Sequence, residues 1–265
     1  MPEFPVDGPI TVAFKIMSGS VDVVAEERTS AYVEVTAGDR RGESQRLADE
    51  TTVDLQGDTL SIVTPNQNGF RLRGGSVAIR VHVPLDSAVN GKSASADVTF
   101  RGRLGGVQVD AASGDIKADH IGGDATITTA SGDVRLAQVE GHLRAKSASG
   151  DLRAQQIAGA FTGKYASGDV QVEEVGGDIS VESASGDVTI RKAQRGTARI
   201  STASGDVHIG IQPGTGVWFD VQTMSGTTRN GLDMSTPGPE TDNASGNQIS
   251  LQLRTMSGDI NIQRA

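Results

Sequence analysis

Ser167-Gly-Asp-Val-Gln-Val-Glu-Glu-Val-Gly-Gly-Asp-Ile-Ser-Val-Glu-Ser-Ala184 is one turn of a repeating structure. Two alternating runs, Val170-Gln171-Val172 and Ile179-Ser180-Val181, have the period of two that a strand shows when one face is buried. Gly176-Gly177 closes the first run and Ser185-Gly186-Asp187 the second. Glycine accommodates a sharp bend, and serine and aspartate bond nearby backbone N–H groups. Eighteen residues therefore make two short strands and two tight corners. The chain returns to its starting point one strand spacing further along.

The Ser-Gly-Asp-aliphatic word starts at Ser113, Ser131, Ser149, Ser167, Ser185, Ser204 and Ser257, and a near-copy starts at Ser95. From Ser95 to Ser185 the step is 18 residues, and then 19. A fixed period of this length marks a solenoid, in which each repeat buries its apolar side by stacking on its neighbours. The predicted fold is all-β: a parallel β-solenoid, or β-helix, of 18-residue coils with two short strands per coil, capped at both ends. Seven regular coils would give a body about 33 Å long. Residues 1–94 are expected to form an N-terminal β cap, 95–209 the regular repeats, and 210–265 the C-terminal capping coils with an exposed loop near 229–247. That loop contains Pro237-Gly238-Pro239, which breaks the strand pattern. Met17-Ser18-Gly19-Ser20-Val21 and Met256-Ser257-Gly258-Asp259-Ile260 resemble each other, so the repeat unit opens and closes the chain.

Stacking turns sequence columns into ladders. One buried column is Val98, Ile116, Val134, Leu152, Val170, Val188 and Val207; on the opposite strand run Val107, Ala125, Leu143, Phe161 and Ile179. Large residues meet small ones, as Phe161 meets Gly163 and Ala154, which keeps a narrow core dense. The alanines before each Ser-Gly-Asp (Ala112, Ala130, Ala148, Ala166, Ala184 and Ala203) are expected to fill the corners. A β-branched residue at Gly150 should cost a few kcal/mol through its positive φ. Trp218, the sole tryptophan, is expected to plug the end of the core.

Composition excludes several functions. The net charge of −9 opposes general nucleic-acid binding. With no cysteine there are no disulfides, thiolate metal sites or cysteine nucleophiles. No apolar run is long enough for a membrane span, and the start has no secretory leader, so a cytoplasmic location is expected if Met1 is the native start and an extracellular one if a leader was removed.

The aspartate ladder (Asp115, Asp133, Asp151, Asp169 and Asp187, with Asp97 and Asp206 at its ends) is the candidate metal site. Its neighbours are spaced about 4.8 Å apart, where two unit charges repel by about 1 kcal/mol in water. The Gly-Gly-Asp corners lack the further glycine of calcium-binding nonapeptides, and the favoured reading is that each carboxylate caps its own turn. The serine ladder lacks a base and an orienting group, so no catalytic residue is assigned. The Gly-Gly corners precede no helix-period segment, so no phosphate loop and no cofactor are expected. Outward positions carry Lys117, Arg135 and Arg153 on one strand and Arg144, Lys146 and Lys164 on the other. These six are the candidate contacts for a protein or an anionic polymer.

The opening Phe4-Pro-Val-Asp-Gly-Pro-Ile-Thr-Val12, the Val81-His-Val-Pro84 segment and the Ala-Ser-Gly-Asp-Val series together resemble the bacterial putative-adhesin, β-strand-repeat family of unknown function. The resemblance spans nearly the whole chain. It implies a β-helical repeat body without known catalysis, acting in adhesion, envelope-stress sensing or scaffolding. The expected function is a non-catalytic structural or binding module, monomeric or weakly self-associating. The alternatives are a self-assembling rod like the bactofilins and a cation-dependent sensor using the aspartates.

Overall fold

The structure, a computed structural model, describes residues 2–65, 75–232 and 248–265. The chain is all-β, a parallel β-solenoid, and among the described residues the strands are interrupted by one eight-residue helix, Gly42–Asp49. It divides into two compact units, residues 1–141 and 142–265.

In the first unit the earliest long strand is not at the edge. Thr11–Glu26 lies between Ala88–Leu104 on one side and the pair Thr59–Val63 and Val77–Pro84 on the other, all parallel. Its register places Ser18 beside Ser95, Gly19 beside Ala96 and Val21 beside Val98, so this early copy of the repeat word joins the ladder. Ala88–Leu104 runs unbroken through 94–95, so the regular ladder begins inside the segment read as a cap. Val107–Ser113 and Ala125–Thr129 then stack at the 18-residue step, as do Ile116–Ile121 and Val134–Val139. Antiparallel strands flank the early part: Thr52–Gln56 on Thr59–Val63, Ser30–Ala37 on Val77–Pro84, and Glu3–Pro5 on Ser30–Ala37.

The helix was not anticipated, although Glu43, Gln45, Arg46, Leu47 and Ala48 are strong helix formers. It buries Ser44, Leu47 and Ala48 on one face. Before it, Asp39 accepts hydrogen bonds from Ser44 Oγ (2.6 Å) and the Arg41 N–H (2.9 Å). The Ser44 bond, then the Arg41 bond, hold the Asp39 carboxyl below its ordinary value.

In the second unit one ladder of strands runs Leu143–Ser147, Phe161–Ser167, Ile179–Ser185, Gly196–Ser204, Gln248–Ser257 and Gly216–Ser225. The companion ladder is Leu152–Ile157, Val170–Val175, Val188–Ala193, Val207–Ile211, Ile260–Arg264 and Thr228–Asn230. Spatial order therefore departs from sequence order at the end. The last segment is inserted between two earlier ones, and among the described residues Gly216–Ser225 is the outermost strand of its ladder.

The core follows the predicted columns. Leu143, Phe161, Ile179, Ala198 and Leu251 are almost wholly buried, as are Leu152, Val170, Val188, Val207 and Ile260. A third inward column, unremarked in the sequence, precedes the Gly-Gly side: Leu104, Ile121 and Val139 in the first unit, and Ile157, Val175, Ala193 and Ile211 in the second. Rings use the space that glycine leaves. A Cβ on Gly91 would lie 2.2 Å from the Phe14 ring, and one on Gly163 would meet both the Tyr165 and Phe161 rings.

Two corner expectations are corrected. The alanines Ala112, Ala130, Ala148, Ala166, Ala184 and Ala203 are exposed, not corner-filling. Strand alternation runs one residue further than the sequence suggested, so the preceding position (Ala111, Thr129, Ser147, Tyr165, Ser183 and Thr202) points inward. Where the strand stops earlier, the hydroxyl caps the turn: the Gly132 N–H donates to Thr129 Oγ1 (3.0 Å) and the Gly150 N–H to Ser147 Oγ (2.8 Å). Gly150 is not among the glycines with positive φ. Elsewhere in the column Gly114, Gly168, Gly186, Gly205 and Gly258 do have positive φ, and close stacking on the carbonyl of the coil below opposes a side chain as well. A Cβ on Gly132 would lie 1.9 Å from Gly114 O, although Gly132 too has no positive φ.

Candidate interaction faces

The aspartate ladder is a clamp between coils. In the first unit Asp97 Oδ1 accepts the Asp115 N–H (2.9 Å), and Asp115 Oδ1 accepts the Asp133 N–H (3.2 Å). In the second unit the Asp169 N–H donates to Asp151, that of Asp187 to Asp169, that of Asp206 to Asp187, and that of Asp259 to Asp206, at 2.7–2.9 Å. The Thr227 N–H closes the series on Asp259 (2.8 Å). The sequence reading had each carboxylate capping its own turn; the geometry hands it to the next coil. At one strand spacing the neighbouring coil's N–H is the donor within reach. Each of these seven accepting carboxylates thus has one oxygen committed to the backbone.

Basic residues take the other oxygen in places. Arg135 bridges Asp115 Oδ2 (2.9 Å) and Asp133 Oδ2 (2.8 Å), and the Asp115 bond leads in raising its guanidinium above its ordinary value. Arg153 lies 3.3 Å from Asp151 Oδ2. Among the described residues no group of three His, Cys, Asp or Glu side chains is placed to hold a metal ion.

The six predicted basic contacts divide between strands. In the first unit Lys117 and Arg135 are register neighbours, with Lys117 exposed and Arg135 turned to its aspartates. In the second unit Arg144 and Lys146 alternate outward on Leu143–Ser147, and Lys146 pairs in register with Lys164. Lys164 reaches Glu182 (3.0 Å); among the described residues Arg144 and Lys146 have no carboxylate partner. Arg153 lies on Leu152–Ile157, beyond the corner from that face. Of the loop near 229–247, residues 233–247 lie outside the described residues.

Three of the four histidines have local partners. His82 Nδ1 is 2.9 Å from Glu26, His120 Nε2 is 2.7 Å from Glu140, and His142 Nδ1 accepts the Ala160 N–H.

Trp218 is not a core plug. It is 74% exposed on the outward face of Gly216–Ser225, and Met224 on the same face is 83% exposed. It is Phe219, not Trp218, that continues the inner column of Ala198 and Leu251. The missed signal is parity: counting outward from Leu251 places the odd-numbered residues of this strand on the core side. The exposed column Ala166, Ala184, Ala203, Met256 and Met224 floors a shallow groove of about 770 Å³ in the second unit.

Solved structures with similar chain paths include one described as a putative adhesin from Bacteroides fragilis, 13% identical with a TM-score of 0.40, the match covering 98% of this chain and 95% of that one. Another, described as a putative adhesin from Parabacteroides distasonis, is 11% identical with a TM-score of 0.44, over 98% and 95%. A third, described as a putative lipid binding protein from Parabacteroides distasonis, is 14% identical with a TM-score of 0.41, over 98% and 95%. No curated protein matches. Among the described residues no helix is long and apolar enough to cross a membrane. The family model described as Toastrack DUF4097 matches residues 12–263, nearly the full length of this repeat-built chain, and the chain belongs to that family.

Proposed function

We propose that the chain is a non-catalytic binding or scaffold module, adhesin-like in character, whose flat cationic strand face engages an acidic protein or an anionic polymer. The observation that carries this reading is the cluster Arg144, Lys146 and Lys164: three outward cations on adjacent strands, of which only Lys164 meets a carboxylate among the described residues. Lys117 offers a further exposed cation in the first unit. Other outward cations of the second unit are spent in ion pairs, such as Arg191 with Glu173 and Lys192 with Glu174. In this reading residues 95–209 are the recognition body, 1–94 and 210–265 flank it, and the loop near 229–247 is a second contact.

The aspartate column is engaged in holding the coils together. The ladder carboxylates hold backbone N–H groups, which leaves turn-building as the role of the Ser-Gly-Asp word rather than catalysis.

Retention on a polyglutamate column tests the proposal. The wild-type chain should bind at low salt and elute as the Debye length shrinks. The double variant R144E/K146E should lose retention while keeping the same circular dichroism spectrum. Equal retention of the two proteins would refute the placement.

A further inference from the structure

Gly216–Ser225 has features that edge strands normally lack. It pairs with Gln248–Ser257 on one side, and among the described residues its other edge pairs with nothing. Edge strands are usually guarded by charge, proline or a bulge. This one, Gly-Val-Trp-Phe-Asp-Val-Gln-Thr-Met-Ser, has one charge, no proline and an unbroken register. That one charge, Asp220, faces Arg254 of the adjacent strand at 3.7 Å.

The core also ends open here. Leu251 and Leu253 are fully buried, but their register partners Phe219 and Val221 are 45% exposed and half-buried respectively. An unpaired backbone edge beside uncovered core residues is a template for another strand.

The sequence of the strand identifies the occupant. Laid antiparallel against itself about Val221, Trp218 falls opposite Met224, Phe219 opposite Thr223, and Asp220 opposite Gln222. Trp218 and Met224 are both on the outward face and are the most exposed large apolar side chains of the described residues. In this register they cover one another twice, once on each side of the two-fold axis. A methionine sulfur against an aromatic ring is a favourable contact, and directly opposed residues are the pairs that stabilise a sheet. The same register keeps Asp220 off its own mate. Val221 meets Val221, so the open core ends adjoin.

We propose that a second copy of this chain docks on this edge, antiparallel strand to strand, as a two-fold dimer. A pairing of this kind uses the same surface on both copies, so it closes at two and does not propagate into a filament.

The chain has no cysteine and one tryptophan, which makes the test direct. Sedimentation velocity of the full chain should show reversible conversion from 27.4 kDa monomer to dimer as concentration rises. The emission of Trp218 should move to shorter wavelength in step. The exposed-site variant M224K should keep the circular dichroism spectrum and remain monomeric. Under mild oxidation the double variant W218C/M224C should form a disulfide dimer. W218C alone should not, because two copies of position 218 stand six residues, about 20 Å, apart across the pair. A monomer at every concentration with unchanged Trp218 emission would overturn the proposal; that is also the result if another part of the chain covers the edge. A dimer that survives M224K, or cross-linking of W218C as efficient as that of the double variant, would overturn it equally.

Discussion

Two residues show how tightly the coil is specified. Gly186 has φ of +127°, and a Cβ there would lie 2.3 Å from Gly168 O, a backbone atom that cannot step aside. Conformation and space both oppose a side chain, so Gly186→Ala should destabilise by about 3 kcal/mol. Urea denaturation at neutral pH measures this, and an unchanged midpoint would show that the coils can separate locally at little cost. Tyr165 is the opposite case. Its ring fills the space above Gly163, but its hydroxyl is buried without a partner, and the residue is only 6% exposed. An unpaired buried hydroxyl costs stability, so Tyr165→Phe should stabilise by about 1 kcal/mol. Burial also raises the phenol above its ordinary value of 10.0, because the ionised form loses its water. A group whose folded value is raised contributes fully below its unfolded value and loses that contribution as pH rises. Above about pH 10, wild type should therefore lose stability faster than the Phe variant, as thermal melts of the two proteins across that range would reveal. Parallel curves would place the Tyr165 hydroxyl in contact with water.

At the scale of elements, the sequence shows what repeats and hides what is inserted. The period gives the strands, corners and buried columns from Val98 to Val207 because the same physics recurs at each step. It cannot give the stacking order at the ends. Gln248–Ser257 pairs with both Gly196–Ser204 and Gly216–Ser225, and Thr11–Glu26 similarly lies between later strands. Those positions are decided by which exposed coil face each segment can cover, a long-range matter on which an 18-residue beat is silent. The cationic cluster was legible as outward columns. The pairing of Arg135 and Arg153 with the aspartates two places before them was legible too, because basic residues two positions on were expected to offset the repulsion along the ladder. That Arg135 also reaches Asp115 of the neighbouring coil was visible only in the structure. The insertion has a measurable consequence. A chain ending at residue 247 loses Ile249, Leu251, Leu253, Ile260 and Ile262, each no more than 1% exposed. It also leaves Gly196–Ser204 and Gly216–Ser225 without the strand between them. Burying five such side chains is worth about 10 kcal/mol, comparable with the whole stability of a typical domain. The truncated chain should therefore lose cooperative urea unfolding, as followed by far-UV circular dichroism. If it keeps the wild-type midpoint, Gly216–Ser225 has closed up on Gly196–Ser204 and the inserted order is not essential.

For the whole molecule the governing quantity is its charge of −9, part of which runs in aspartate columns spaced by one strand. Such columns invite a cation, and the arrangement argues against a specific one. Each ladder carboxylate in the hydrogen-bonded series gives Oδ1 to a backbone N–H, which leaves one oxygen per coil at a spacing of about 4.8 Å. Calcium takes six to eight oxygens at about 2.3–2.6 Å, so a site on the ladder would have to draw most of them from backbone carbonyls and water. Repulsion along the column is nevertheless real, and mobile ions screen it. Added sodium chloride should therefore raise the thermal midpoint of the chain modestly. Calcium chloride at matched ionic strength should raise it by the same amount. A calcium-specific rise that disappears in D169N/D187N would show that the ladder exchanges its backbone bonds for a bound ion. In that event the Ser-Gly-Asp word would be a sensor as well as a corner.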